Sequence, residues 1–573
     1  MAKIPEVLKF AREWQFPAFS QEEGLDRVVA YGDRSGKCPT YVQRVPPCTN
    51  SCPAGEDIRG YNNIVRGVWA SKDPMADAFY RLTRTNPFPA IMGRLCPAPC
   101  QGGCNRQFRD ETIGINAVEH AIGNYAVEKG LAFAKPQRET GKRIAIVGSG
   151  PGGLSAAYHA RRRGHAVTLF ESNDKLGGMM RYGIMGYRAP RHVLDAEIKR
   201  ITDMGMDIRT GVRVGRDITL EQLSKDYDAV FLAVGAQKGR NLPIPGSQGP
   251  RVTNAIDFLR DFEVNGTGMD LGKHVVCIGD GDVAMDVVRL ALRLGSKATL
   301  LSAVGRADMN CSANEFHEAS LEGTDIRLAT GSVEVLRTGG AVSGIKCVSM
   351  VKKDKGEEGW NHKVPFFRYK PSAGSEFTIE ADQIVAAIGQ GTDMVGLEAA
   401  VQNGFLNVDH NMKVVGMDNV FGGGDAYQIT LLTTAIGHGR KAVEAMDLLF
   451  AGLPLPKKPK PDVVAYEKLK WDFFLESTQK KRTFRHPAEV KGDWDEVLQA
   501  LSREDVKAES ERCMSCGLCF ECRQCEKYCP QHAITSFRGN PEGEVMFTFY
   551  EKCVGCHICS EVCPTGYIDM AMD

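Results

Sequence analysis

Short apolar runs recur between residues 142 and 446, each closed by glycines, and they predict the elements of the middle of the chain. Residues 142–171 read KRIAIVGSGPGGLSAAYHARRRGHAVTLFE. IAIV predicts a strand, GSGPGG a tight turn, the Ala-rich stretch a helix, and AVTLF a second strand ending at an acid, Glu171. The order repeats at 274–301, HVVCIGDGDVAMDVVRLALRLGSKATLL. YDAVFLAVGA (227–236) and DQIVAAIGQG (382–391) predict two more strand-plus-turn segments. In NVFGGGDAYQITLLTTAIGHGRKAVEAM (419–446) a strand ends at Asp425 and a glycine-punctuated helix begins shortly afterwards. Strand, turn, helix and strand in this order make an α/β chain with two Rossmann-like nucleotide-binding folds.

The glycines have separable tasks. Gly148 makes the tight turn, Gly150 lets backbone approach a pyrophosphate, and Gly153 lets helix pack on strand. The helix start then faces the phosphates, and Glu171 is placed for a ribose diol. In the second unit Gly279 and Gly281 take the first two positions and Ala284 the third, which the fingerprint tolerates. Two such units suggest two dinucleotides.

Composition narrows the class. Lys plus Arg equals Asp plus Glu, at 71 each, so the basic excess of a nucleic-acid or anionic-membrane protein is missing. No apolar run reaches the length of a membrane helix, and the first residues lack the apolar core of a signal peptide. A cytoplasmic protein is expected. The 19 cysteines are segregated: six lie between Cys38 and Cys104 and ten between Cys513 and Cys563. In a reducing compartment such clusters mean metal or redox chemistry. Cys277, Cys311 and Cys347, which lie between, read as small buried hydrophobes.

The last ten include two runs of C-x2-C-x2-C-x3-CP, the two-cluster ferredoxin spacing, in which the fourth Cys of each run serves the other cluster. One [4Fe–4S] set is then Cys519, Cys522, Cys525 and Cys563; the other is Cys553, Cys556, Cys559 and Cys529. Zinc fits two complete runs poorly. Cys513 and Cys516 are left over, as further ligands or as free thiols.

The first Gly-rich unit, GGMMRYGIMGYRAP (177–190), the second unit and VFGGGDA together resemble the two-dinucleotide flavoproteins, in the branch of the glutamate synthase small subunit and the flavin half of dihydropyrimidine dehydrogenase. The resemblance implies an NAD(P) domain inserted into an FAD domain. It places FAD on Gly148, Gly150, Pro151, Gly153, Glu171, Gly178, Arg181, Gly424, Asp425 and Thr433. The nicotinamide nucleotide falls to Gly279, Gly281, Asp282, Ala284 and Arg306. Relatives that use NADPH carry paired arginines after the second strand of the inserted domain; LLSAVGRADMN (300–310) offers Arg306 alone, which favours NAD(H) over NADP(H).

The resemblance extends to the N-terminal cysteines, C-x9-C-x3-CP followed by RTNPFPAIMGRLCPAPCQGGC. It implies one cluster on Cys52, Cys96 and Cys100 with Glu119 as fourth ligand. A second would use Cys38, Cys48 and Cys104. Relatives have a C-x2-C pair where this chain has only Cys38, so an oxygen ligand, a three-iron form and no cluster all stay open. About four clusters are expected in all.

The expected domains are an N-terminal helical iron–sulfur domain (1–140), the FAD domain in two parts (141–260 and 393–450), the inserted NAD(P) domain (261–392), a linker (451–510) and a two-cluster ferredoxin domain (511–573). GLPLPKKPKPD reads as a tether, and GDWDEVLQALSREDVKAESER predicts a helix. A flavin converts a hydride into single electrons, so the order nicotinamide, FAD, clusters follows from chemistry. The layout is most similar to the iron–sulfur flavoproteins that accompany dissimilatory sulfite reductase in sulfur bacteria, and implies that reductase as partner. Alternatives are a glutamate-synthase-like or ferredoxin-linked NAD(P)H donor subunit, and a non-catalytic scaffold; a homodimer stays open.

Overall fold

The computed structural model describes residues 35–458, 460–536 and 546–572. The chain divides into two compact units. One comprises Ala132–Leu455 and Thr483–Gln499; the other holds the described residues up to 131, Pro456–Arg482, and those from 500 on.

The first of these contains two five-stranded parallel sheets. One orders Val420–Gly422, Ala229–Leu232, Arg143–Val147, Ala166–Phe170 and Asp207–Arg209. The other orders Asp325–Arg327, Lys297–Leu301, His274–Ile278, Gln383–Ala386 and Val252–Asn254. Ala229–Leu232 and Gln383–Ala386 are buried at every position. Continuous apolar runs of this kind belong to parallel strands covered on both faces.

The chain leaves the first sheet after Ala229–Leu232 and returns to it at Val420–Gly422, so the second sheet is an insertion. Outgoing and returning chain pair in a short antiparallel ladder, Lys238–Gly239 against Gln390–Gly391. The expected boundary at 260/261 is corrected: Val252–Asn254 already pairs in the second sheet, and three residues reading VTN carry no apolar run to announce it. A three-stranded antiparallel sheet, Thr330–Thr338, Ala341–Lys352 and Tyr369–Glu380, adds to the insertion. Its Val335, Ile345 and Cys347 pack with Val276, Leu301 and Ile384. Cys277, Cys311 and Cys347 are all buried, in apolar clusters.

The second unit joins the N-terminal helices Ile58–Val65, Pro74–Leu82, Pro89–Leu95 and Ile115–Glu128 to the C-terminal cysteine module. The separate domains expected at 1–140 and 511–573 are therefore one body. Cys38–Tyr41 pairs antiparallel with Ile568–Ala571. Arginines join the two segments: the buried Arg44 donates to Gly566 O at 2.8 Å and the buried Arg59 to Cys516 O at 2.7 Å, and the half-buried Arg66 donates to Ser515 Oγ at 2.6 Å.

The expected linker is corrected too. Val464, Leu469 and Phe474 form a core with Met514. Glu509 accepts from the backbone N–H of Gly114 and of Lys480, each at 2.7 Å. Residues 483–499 belong to the sheet-bearing unit, where the Trp494 ring stacks on Phe262 at 5.0 Å and Val497 N donates to Tyr187 O. The helix expected from Gly492 onward covers only Arg503–Glu511, because Ser502 caps it by accepting from Asp505 N. Among the described residues no helix is long and apolar enough to cross a membrane.

Candidate functional site

An open cleft with about 1320 Å³ of unfilled space lies at the C-terminal ends of the first sheet. Gly148, Gly150, Pro151, Glu171, Gly178, Gly424 and Asp425 line it. Gly148 has φ +99°, and a Cβ there would stand 2.4 Å from Ala233 O. A Cβ on Gly153 would stand 1.8 Å from Gly148 O, so only glycine lets the helix Pro151–Arg162 seat against the turn. Gly150 has no atom within 4 Å of its Cβ position, which opens into the cleft. The helix starts with Pro at its first turn and directs its free N–H groups at this space, where an anion is favoured. These features fit the pyrophosphate of FAD.

Glu171 lines the cleft but is already engaged. Oε2 accepts from Ser149 N at 2.9 Å and Ser149 Oγ at 2.6 Å; Oε1 accepts from Asn173 N at 2.8 Å and Asn173 Nδ2 at 2.7 Å. A carboxylate has about four acceptor sites, so a ribose hydroxyl must compete with Asn173 or Ser149. Burial pushes the Asp425 carboxyl up, while Thr430 N donates to it at 3.2 Å. Gly424 N donates to His438 Nδ1 at 3.1 Å, and burial, aided by Lys441, lowers His438 to about 4. His438 is thus a neutral acceptor.

Arg181 and Thr433 do not line the cleft. Arg181 Nε donates to Leu176 O at 2.6 Å, and its guanidinium pairs with Asp195, so it holds the loop that leads into Gly178. Thr433 is buried in the helix Leu432–Phe450, next to Leu432, which does line the cleft. Sequence reasoning missed Arg213, Lys238, Arg260 and Asp393, which also line it. Asp393 pairs with Arg213 at 2.6 Å and with Lys238 at 3.3 Å. Scattered along the chain with no fixed spacing, they leave no motif to find.

At the second turn Gly279 has φ +153°, and a Cβ would stand 2.4 Å from Ala387 O. Gly281 caps the helix Asp282–Arg293 with no atom within 4 Å of its Cβ position, and Ala284 is fully buried. Asp282 accepts from Ser312 N at 2.8 Å. Arg306 lies over the Phe316 ring, its guanidinium carbon 4.1 Å from the centroid.

Two cavities in the other unit are lined by the cysteine sets that ferredoxin spacing brings together. Cys519, Cys522, Cys525 and Cys563 line one; Cys529, Cys553, Cys556 and Cys559 line the other. Among the described residues no three His, Cys, Asp or Glu side chains converge as a set for a single metal ion. Thiols standing around open space suit a multi-atom cluster instead. Cys52 and Cys100 feel the charges of Glu56 and Glu119, and Cys100 also that of Cys96. One Asn86 amide nitrogen donates to both Glu56 and Glu119, at 2.9 Å each. Glu56 is thus a second carboxylate beside this set, which resemblance had not singled out. The buried Tyr61 hydroxyl has no hydrogen-bond partner and faces the same carboxylates. Cys38 sits in the strand Cys38–Tyr41, opposite Ala571, and is not among the residues lining the cavity shared by Cys48 and Cys104.

Residues 142–439 match the pyridine nucleotide-disulphide oxidoreductases. The chain belongs to this family. Within it, residues 22–131 match the 4Fe-4S domain II of dihydropyrimidine dehydrogenase, and residues 518–567 a 4Fe-4S dicluster domain. Among its relatives, the glutamate synthase [NADPH] small chain of Mycobacterium tuberculosis is 33% identical over 72% of this chain and 88% of that one. The NADPH-Fe(3+) oxidoreductase subunit beta of Geobacter sulfurreducens is 30% identical over 82% of this chain and 75% of its own length. The NADP(+)-dependent formate dehydrogenase subunit beta of Moorella thermoacetica is 32% identical over 70% of this chain, but the match spans only 59% of that subunit. This family member is a redox enzyme that combines an FAD/NAD(P) fold with iron–sulfur domains.

Proposed function

We propose that this chain is an electron-donor subunit of the glutamate synthase small-chain kind: it oxidises NAD(P)H and delivers electrons through [4Fe–4S] clusters to a partner enzyme. The observation that carries the reading is the occurrence, in one chain, of a glycine-walled dinucleotide cleft, a second Gly-rich turn and cavities walled by four cysteines. FAD, when bound, supplies the conversion of a hydride into single electrons. The chain binds and orients: the helix beginning at Pro151 meets the pyrophosphate, and Gly150 leaves it room. Asp425 and Glu171 offer carboxylates to sugar and ribityl hydroxyls. No general acid or base is required of the protein.

NAD(H) is the favoured nucleotide in this reading, since Arg306 is stacked on Phe316 rather than paired with a second arginine as a phosphate clamp. The relatives named above are NADPH or NADP(+) proteins, so the alternative is concrete. Dye reduction by the anaerobically purified protein decides it: a kcat/KM tenfold higher for NADPH than for NADH overturns the preference.

The partner is tested by NAD(P)H oxidation in two mixtures. One contains glutamate synthase large subunit with glutamine and 2-oxoglutarate, the other dissimilatory sulfite reductase with sulfite. Turnover in the first supports the donor reading as stated. Turnover in the second alone moves the partner to sulfite reductase, as the resemblance in domain layout implies. A chain that reduces no dye with either nucleotide has lost the activity altogether.

A further inference from the structure

Cys513 and Cys516 found no role in the ferredoxin spacing, and the set of Cys48 and Cys104 found no fourth member. The fold brings these two remainders together. Cys48, Cys104, Cys513 and Cys516 line one cavity, as each of the two ferredoxin-type sets lines its own. We propose that these four cysteines hold one iron–sulfur cluster, joining the N-terminal segment to the C-terminal module at a shared metal site. The inference rests on the reading of the chain as an iron–sulfur protein and adds a ligand set that neither cysteine run contains alone.

Local structure explains why the four meet. Cys48 lies in the helical turn Pro47–Ser51, and Cys104 starts the short helix Asn105–Phe108. Cys513 and Cys516 follow the helix Arg503–Glu511, whose end is fastened: Arg512 pairs with Asp110 at 3.0 Å and with Glu509 at 2.6 Å. Arg106 Nη1 donates to Arg512 O at 3.1 Å. All four side chains line the same cavity, Cys104 buried and Cys48, Cys513 and Cys516 half-buried. Thiols lining one cavity have no hydrogen-bonding reason to converge, whereas thiolates on iron do.

The surroundings suit an anionic cluster. Arg59 lines the cavity with its side chain almost wholly buried. Its Nη1 is used on Arg44 O and Cys516 O, while its Nε is buried without a partner. A cubane on four thiolates carries net negative charge, and a buried arginine offsets it. Asn105 Nδ2 stands 3.9 Å from Cys516 Sγ, an N–H···S contact of the sort that tunes a cluster's potential. A tetrahedral four-cysteine zinc ion is the competing occupant.

The position is central. Cys48 and Cys52 are four residues apart, as are Cys100 and Cys104, while Cys516 and Cys519 are three apart. The site therefore adjoins both the Cys52 set and the Cys519 set, within about 14 Å of chain.

The test uses full-length, anaerobically purified protein and reads iron, zinc and flavin per chain, native mass and low-temperature EPR after dithionite. Cys48→Ala, Cys104→Ala, Cys513→Ala and Cys516→Ala should each lose about four irons and the same EPR component, with flavin retained. Cys38→Ala should lose neither. The proposal is overturned if Cys38→Ala removes a cluster while Cys513→Ala and Cys516→Ala keep full iron, or if native mass shows one zinc at this site. Retained flavin and ferredoxin-type signals in these variants separate failure of this site from failure of the iron–sulfur reading.

Discussion

Arg188 grips Asp286 through one nitrogen, Nη1, at 2.7 Å from each carboxylate oxygen, with Asp286 buried and Arg188 largely so. Arg188 ends the segment that starts at Gly178 in the cleft, and Asp286 lies one turn into the helix after the second Gly-rich turn. The pair thus ties the two nucleotide folds together within their unit. Glu315 is the second partner of Arg188. Breaking a buried pair from one side costs about 3–5 kcal/mol, whereas replacing both partners with apolar residues costs far less. Denaturant unfolding followed by flavin fluorescence should show Asp286→Asn and Arg188→Met each strongly destabilised, and the double variant Arg188→Met/Asp286→Leu less so than either.

The cleft predicts opposite effects for two glycines three residues apart. Gly150→Ala meets no protein atom and should fold normally, yet bound flavin should fall at least about tenfold, because the methyl group takes the place of the pyrophosphate. Gly153→Ala meets Gly148 O at 1.8 Å, so the helix must move, at a cost of about 1–3 kcal/mol or more. Flavin absorbance per chain and apoprotein melting check both.

His438 gives a pH dependence of known sign. Its folded pKa, about 4, lies below the unfolded value near 6.5, so the unfolded chain takes the proton first. The stability is complete above about pH 6.5 and is lost as pH falls towards 4, by about 2 kcal/mol at pH 5. In His438→Asn the amide oxygen can still accept from Gly424 N. Subtracting its unfolding free energies from those of the wild type, between pH 5 and 7, should isolate this slope.

The crossed ligation of the C-terminal runs is testable by non-additivity. Cys525→Ala and Cys563→Ala line the same cavity and should remove the same cluster, so the double variant loses no more than about four irons. Cys525→Ala with Cys529→Ala should lose about eight, since Cys529 lines the other cavity.

What the sequence made legible was whatever repeats over a short span. IAIV, AVFL and HVVCI announce buried parallel strands by continuous apolarity, and Gly148, Gly150 and Gly153 announce a turn by spacing. Val252–Asn254 escaped because its place is set by pairing with Gln383–Ala386, far along the chain. GLPLPKKPKPD read as a tether because it is rich in Pro and Lys, while the order of the segment after it comes from acceptors elsewhere, as Glu509 does for Lys480. The meeting of Cys48 with Cys516 was invisible for the same reason: more than four hundred residues separate them. Arg181 looked like a cofactor contact because it sits in a recognised segment, but Leu176 O and Asp195 already hold it.

The pairing of Cys38–Tyr41 with Ile568–Ala571 has a consequence for how the protein is made. The first strand emerges from the ribosome more than five hundred residues before its mate. At about 5–20 residues per second it waits on the order of half a minute to two minutes, longer than most local folding takes. The sheet-bearing unit can close meanwhile, since all but its 483–499 stretch is contiguous. The unit holding the cysteine cavities finishes only after Ile568–Ala571 has emerged, so iron delivered earlier meets incomplete thiol sets wherever Cys513 to Cys563 take part.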